Sequence, residues 1–175
     1  MAHNLIYPIG NALIGASLRC FSNYNVTGKE LIPTHGPLLV VSNHLSNIDP
    51  PLLAVSIPRP LHFLAKKGIF HDPIVNVILR GYGATPVKRD GRDIQGVKWA
   101  LRILEERRAL VIFPEGTRSP EGLRSPIPGI ALLHVRSGAP ILPVAITGTE
   151  HLGPIWRMFF PSGNITVRIG QPFTL

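Results

Sequence analysis

Apolar and polar positions follow two periods along this chain. Residues 5–21 keep helical spacing: Asn4, Pro8, Asn11, Gly15 and Arg19 share one narrow strip, and Leu5, Ile6, Ile9, Leu13, Ile14, Leu18 and Phe21 cover the rest. A helix this apolar either packs on a core or lies in a membrane interface. From residue 37 onward, short apolar runs predict strands at 38–41, 61–65, 85–88, 109–113, 141–146 and 165–169. Helical spacing fills the gaps at 51–57, 73–80, 93–107 and 129–136. The clearest is 93–107, where Ile94, Val97, Leu101 and Leu104 recur and Glu105-Glu106-Arg107-Arg108 closes the element. Strands alternating with helices predict one α/β domain. Its central sheet is expected to be largely parallel or mixed and flanked by helices, with the apolar N-terminal helix ahead of it. The 18 prolines and 17 glycines fall mostly between elements, which implies short, shaped loops.

In open α/β sheets, ligands bind beyond the carboxyl ends of the strands. The polar clusters of this chain follow the predicted strands. His44 and Asp49 follow one, Lys66 and Lys67 a second, Lys88, Arg89 and Arg92 a third, and Glu115 and Arg118 a fourth. The sheet order decides whether they converge.

Composition narrows the partners. Eighteen Lys and Arg against ten Asp and Glu leave a net charge of +8, which implies an anionic partner. No zinc-finger spacing, basic block or aromatic RNA-binding strip is present, so nucleic acid is not expected. Forty-five per cent hydrophobic residues against 16% charged exclude disorder and point to apolar contact. Cys20 is the one cysteine, so no internal disulfide framework exists and a reducing environment fits. The N-terminus lacks a basic n-region and a small-residue cleavage site, so no secretory leader is expected. The apolar run from Leu5 to Leu18 is shorter than the roughly 20 residues of a spanning helix.

Two stretches carry candidate chemistry. In Ser42-Asn43-His44-Leu45-Ser46-Asn47-Ile48-Asp49-Pro50-Pro51, Asp49 reads as a helix cap ahead of two prolines tolerated in a first turn. His44 by itself reads as a strand-end histidine bonded to backbone. A second reading joins them: the loop folds back, the carboxylate accepts the Nδ1 proton, and Nε2 is left as a base. A base so placed takes the proton of an attacking hydroxyl, and the substrate's own alcohol can be that nucleophile. No ligand-like spacing links His35, His62 or His71 to His44, so no metal is expected. In Phe113-Pro114-Glu115-Gly116-Thr117-Arg118-Ser119, Arg118 offers a planar fork of donors suited to phosphate. Gly116 allows close approach, Thr117 adds a hydroxyl, and Glu115 suits a polyol or holds Arg118. Taken alone, this stretch also reads as a plain proline–glycine turn with a surface ion pair.

Together, Asn43-His44-Leu45-Ser46-Asn47-Ile48-Asp49, matching NHxxxxD, and FPEGTRS some seventy residues on resemble the lysophosphatidic acid (1-acylglycerol-3-phosphate O-) acyltransferase family of glycerolipid synthesis. The resemblance runs from about Val26 to Phe173. It implies residues 1–22 as a membrane-interfacial helix and 23–175 as the acyltransferase domain. It implies acyl transfer from acyl-CoA or acyl-carrier protein, as co-substrate with no cofactor, to the free hydroxyl of lysophosphatidic acid, giving phosphatidic acid. His44 would be the general base and Asp49 its orienting partner. Arg89, in Gly83-Ala84-Thr85-Pro86-Val87-Lys88-Arg89, would contact phosphate, and Glu115, Gly116, Thr117 and Arg118 would bind the glycerol phosphate. Asn43, Ser46, Lys66, Lys88 and Pro143 are further candidates, Pro143 from a proline-bearing strand near the acyl donor. Ile127 stands where relatives often carry lysine beside Pro128-Gly129, so one basic contact is expected to be missing; the chain stops at Leu175 where many relatives continue, which implies either a smaller acyl pocket or membrane cover or a truncated end. Amides at the start of the helix after Asp49 are candidate oxyanion donors. The expected setting is monotopic on an anionic membrane, facing the cytoplasm, with residues 5–21 as a contact and 155–160 as either a second contact or core packing. The alternatives are another lysolipid acceptor, or a non-catalytic basic membrane-binding module.

Overall fold

A computed structural model describes residues 5–88, 93–121, 125 and 129–174. Five helices are α1 (Ile6–Phe21), α2 (Asp49–Ser56), α3 (Pro73–Gly81), α4 (Ile94–Glu105) and α5 (Gly129–Ser137). Seven strands are β1 (Asn23–Thr27), β2 (Leu38–Ser42), β3 (Leu61–Lys66), β4 (Ala84–Val87), β5 (Ala109–Ile112), β6 (Ile141–Thr147) and β7 (Asn164–Ile169). They form one mixed sheet of order β1-β7-β6-β2-β5-β3-β4. The five strands β6, β2, β5, β3 and β4 are mutually parallel. β7 runs antiparallel to β6, and β1 runs parallel to β7.

The alternation of strands and helices thus produces the expected α/β domain. β1 was not among the expected strands. Its residues Asn23-Tyr24-Asn25-Val26-Thr27 alternate in burial on a sheet edge, and three polar residues in five hid the pattern. β6 carries Pro143 well inside the sheet, where proline is normally excluded. Its partner Gly170 donates to the Pro143 carbonyl at 2.9 Å, and the missing proline N–H falls where the β6–β7 ladder ends, so only half of that pair forms.

Each sheet face has its own core. Leu38, Val40, Val111, Leu142, Val144 and Ile146 point to the side covered by α1 and α2; Leu39, Leu110 and Ile141 point to α4 and α5. α1 packs on the core with one side and leaves another exposed. Tyr7, Ile14 and Leu18 enter the core, and Asn11, from the polar strip, donates to the Ala54 carbonyl of α2 at 3.2 Å. Tyr82 donates to Asn11 Oδ1, and the Leu61 amide donates to the Tyr7 hydroxyl at 3.0 Å. Burial pushes both phenols above their ordinary pKa. Leu5, Ile9 and Leu13, one helical stripe, stay on the surface.

Candidate active site

The site forms where three neighbouring parallel strands end. β2 is central, with β6 on one side and β5 on the other, so the loops after all three meet at one edge. That topology brings together segments that lie about seventy and a hundred residues apart.

After β2 the chain turns back at residues 43–48. The Asp49 carboxylate is fully buried, and its Oδ2 accepts from Leu45 N at 2.6 Å, Ser46 N at 2.7 Å and His44 Nδ1 at 2.9 Å. Its Oδ1 accepts from the Thr149 hydroxyl at 2.8 Å. Asp49 therefore does not cap α2. Its carboxylate reaches the amides before the helix, and Ile48 is the N-cap without a side-chain bond. The physical reason is that Pro50 and Pro51 have no N–H to cap and the Leu52 amide behind them already donates to Ile48 O. The same fact removes the expected oxyanion donors at the α2 start. Asp49 N donates to Ser46 O, Leu52 N donates to Ile48 O, and the two prolines between have no N–H.

With Nδ1–H donated to Asp49, His44 Nε2 keeps its lone pair. Among the described residues Nε2 has no hydrogen-bond partner, and the side chain is 13% exposed. Phe113 stacks on the ring at 4.1 Å between centroids. This is the joined reading of His44 and Asp49 rather than the separate ones. The backbone-bonded reading fits other histidines: His62, His134 and His151 contact the carbonyls of Ala109, Ala139 and Ser162.

The segment after β5 closes on the same histidine. Ser119 N donates to His44 O at 2.7 Å, and His44 N donates to Glu115 Oε1 at 3.4 Å. Glu115 is buried, while Arg118 is exposed. The turn needs a left-handed residue, and Gly116 supplies it with φ of 63°. Among the described residues Arg118 has no ion pair, so Glu115 does not hold it and its donors face solvent. Thr117 is half-buried beside it.

The other candidates divide. Asn43 spends its side-chain polar atoms on β6 and Ser46 on the loop after it. Asn43 bonds both backbone groups of Ile146, at 2.9 and 2.8 Å, as a strand residue would, and the Ser46 hydroxyl donates to Leu152 O at 2.6 Å. Asn47 donates to Gly153 O in the same way. Pro143 lies opposite Val41, inside the sheet and below the cleft. Lys66 ends β3 opposite Val87, with Lys88 next in the chain; both lysines are exposed on the site edge. By strand spacing they stand about 10 and 15 Å across from β2. The Asp93 carboxylate accepts from Lys88 N at 2.6 Å and Gly96 N, and these amides hold its pKa below the ordinary range. Arg89, Arg92, Ile127 and Pro128 lie outside the described residues. Sequence reasoning missed Thr149, whose one available signal was its place just past β6.

The acyltransferase family model matches residues 23–147. The chain is 32% identical over 161 residues to a chloroplastic 1-acyl-sn-glycerol-3-phosphate acyltransferase of Arabidopsis thaliana, covering 89% of this chain and 45% of that protein. It is 29% identical over 149 residues to a 1-acyl-sn-glycerol-3-phosphate acyltransferase of Bacillus subtilis, covering 84% of this chain and 72% of that one. The crystal structure of the 1-acyl-sn-glycerophosphate acyltransferase PlsC from Thermotoga maritima superposes with a TM-score of 0.75 and 29% identity, over 98% of this chain and 68% of that one. The chain spans about half the length of the plant relatives it matches.

Proposed function

The chain belongs to the acyltransferase family, and from that premise we propose that it moves a fatty acyl group from acyl-CoA or acyl-carrier protein to the free hydroxyl of lysophosphatidic acid, giving phosphatidic acid. The observation that carries this reading is the His44 imidazole, bonded to Asp49 through Nδ1 and open at Nε2, beside the segment that bears Arg118. Nε2 takes the proton of the acceptor hydroxyl as its oxygen attacks the thioester carbonyl. The Asp49 carboxylate stabilises the imidazolium that forms. Collapse of the tetrahedral adduct breaks the C–S bond, and the imidazolium returns its proton to the leaving thiolate. Oxygen gains an acyl group, sulfur gains a proton, and the histidine is restored.

Arg118 supplies the phosphate contact in this reading. Its fork is exposed at the site edge, and its neighbour Ser119 is tied to His44. Replacing Arg118 by glutamine is expected to raise KM for lysophosphatidic acid about 10- to 100-fold, the worth of a hydrogen bond to a charged group. The check is thiol release from acyl-CoA, and from acyl-carrier protein, with lysophosphatidic acid and lysophosphatidylcholine as acceptors. The wild-type chain should prefer the phosphate monoester, and R118Q should erase that preference. Equal rates with both acceptors would refute the assigned substrate, and no acceptor-dependent thiol release with either donor would refute acyl transfer.

The reading also places the protein on an anionic membrane surface, monotopic and facing the cytoplasm. Among the described residues no helix is long and apolar enough to cross a membrane. Leu5 at the N-cap, Ile9 and Leu13 of α1, and Ile74, Val77 and Ile78 of α3 are exposed, and these two helices touch each other. Trp156, Phe159 and Phe160 are exposed as well; the Ser17 hydroxyl donates to Phe159 O, and Phe160 meets Phe21 edge-on at 5.2 Å. Exposed Lys66 and Lys67 precede α3 and exposed Arg80 lies in its last turn, which suits anionic headgroups. α3 was expected only as a helix, with no role at a surface. Vesicles containing phosphatidylglycerol should retain the wild-type chain and release a Leu13→Glu, Ile74→Glu variant of unchanged circular dichroism. Equal retention of both would remove this face from the account.

A further inference from the structure

We propose that Thr149 is a positioning residue for the His44–Asp49 pair, holding the Asp49 carboxyl plane so that Nδ1 of His44 meets it squarely. This rests on the acyl-transfer reading above. Three donors crowd Asp49 Oδ2, namely His44 Nδ1, Leu45 N and Ser46 N. Donors on one oxygen anchor that oxygen but let the carboxyl plane tilt about it, because terminal sp³–sp² torsions have broad wells. The Thr149 hydroxyl, 2.8 Å from Oδ1, grips the other oxygen and removes that freedom. Thr149 and Asp49 are both fully buried, so no bulk water substitutes for the bond.

The fold invests in this placement. Gly148 has φ of 86°, and a Cβ there would lie 1.8 Å from the Asn164 carbonyl oxygen, so only glycine turns the chain this way. Thr149 O then accepts from Leu152 N at 2.9 Å, which closes the turn. The neighbouring contacts from Asn43, Ser46 and Asn47 all end on backbone groups. Thr149 alone in this segment bonds the carboxylate itself. A purely structural role and a positioning role therefore predict different results.

The test compares Thr149→Val, which keeps shape and loses the donor, with Thr149→Ser, which keeps the donor and loses a methyl. Thiol release from acyl-CoA with lysophosphatidic acid gives kcat and KM. T149V should lose kcat about 10- to 100-fold, the scale of a small misplacement of reacting groups, with both KM values within about twofold. T149S should restore most of that loss. A readout independent of turnover is the ¹⁵N spectrum of His44 in labelled protein: the wild-type chain and T149S should give the same Nδ1–H resonance, and T149V should shift it towards that of a more weakly bonded Nδ1–H. That spectrum separates failure of this inference from failure of the acyl-transfer reading. An unchanged kcat and spectrum in T149V, or equal losses in T149V and T149S, would overturn the proposal. Should T149V not fold, Thr149→Ala takes its place with the same outcomes.

Discussion

Replacing His44 by alanine should lower acyl transfer about 100- to 10,000-fold, the usual contribution of a positioned general base, in a protein that still folds. The reason lies in how Asp49 is satisfied. Removing the imidazole takes one of the three donors from Oδ2, but Leu45 N and Ser46 N remain on it and Thr149 remains on Oδ1. The buried carboxylate keeps three partners, so the loop keeps its shape. The stacking against Phe113 is lost, which costs on the order of 1 kcal/mol. The measurement is thiol release alongside a thermal melt. A melt within a few degrees of wild type with turnover near wild type would remove the base from the mechanism.

Replacing Asp49 by alanine should be worse, because it harms folding as well as turnover. Four donors converge on this carboxylate in a site with no exposure. The Thr149 hydroxyl can rotate and the His44 ring can change tautomer. The amides of Leu45 and Ser46 cannot relocate, and each orphaned buried donor costs about 1–3 kcal/mol. The expected loss is about 2–6 kcal/mol, or a melting temperature lower by roughly 5–20 °C for a domain of this size. Asp49→Asn discriminates charge from shape. Its amide oxygen takes the Oδ2 position, held there by the same two backbone amides, and its NH₂ faces the Thr149 hydroxyl, which can accept. D49N should therefore fold, keep the proton on Nδ1 and lose only the stabilisation of the imidazolium, a smaller loss than H44A. Melts of D49A and D49N with matched thiol-release rates check both halves. Equal melting temperatures for D49A and wild type would contradict the buried four-donor arrangement.

Much of this was legible in the sequence for identifiable reasons. The strands that showed themselves, such as Leu38-Leu39-Val40-Val41, are buried on both faces and read as continuous apolar runs. β1 escaped because an edge strand with alternating exposure needs few apolar residues. The spacing of His44 and Asp49 suggested a folded-back loop, but two rival roles for Asp49 stayed open until the structure showed its carboxylate bonded to His44 Nδ1 and to the amides of Leu45 and Ser46. Arg118 and His44 were expected to share a cleft. The adjacency of β2 and β5 brings the segment that bears Arg118 against His44 through Ser119, and no local pattern announces strand adjacency. Thr149 lay beyond reach for the same reason: its bond to Asp49 spans 100 residues and depends on β6 lying beside β2. The outward face of α3 was hidden by an ambiguity of its own, since an apolar helix segment reads alike whether it packs inward or faces lipid.

The most direct test is product analysis by mass spectrometry after incubating the chain with lysophosphatidic acid and a donor whose acyl carbons are ¹³C-labelled, as acyl-CoA and separately as acyl-carrier protein. The account predicts labelled phosphatidic acid with one free thiol per molecule formed, and almost none from H44A. Labelled free fatty acid with lysophosphatidic acid left intact, or no labelled product from either donor, would contradict it.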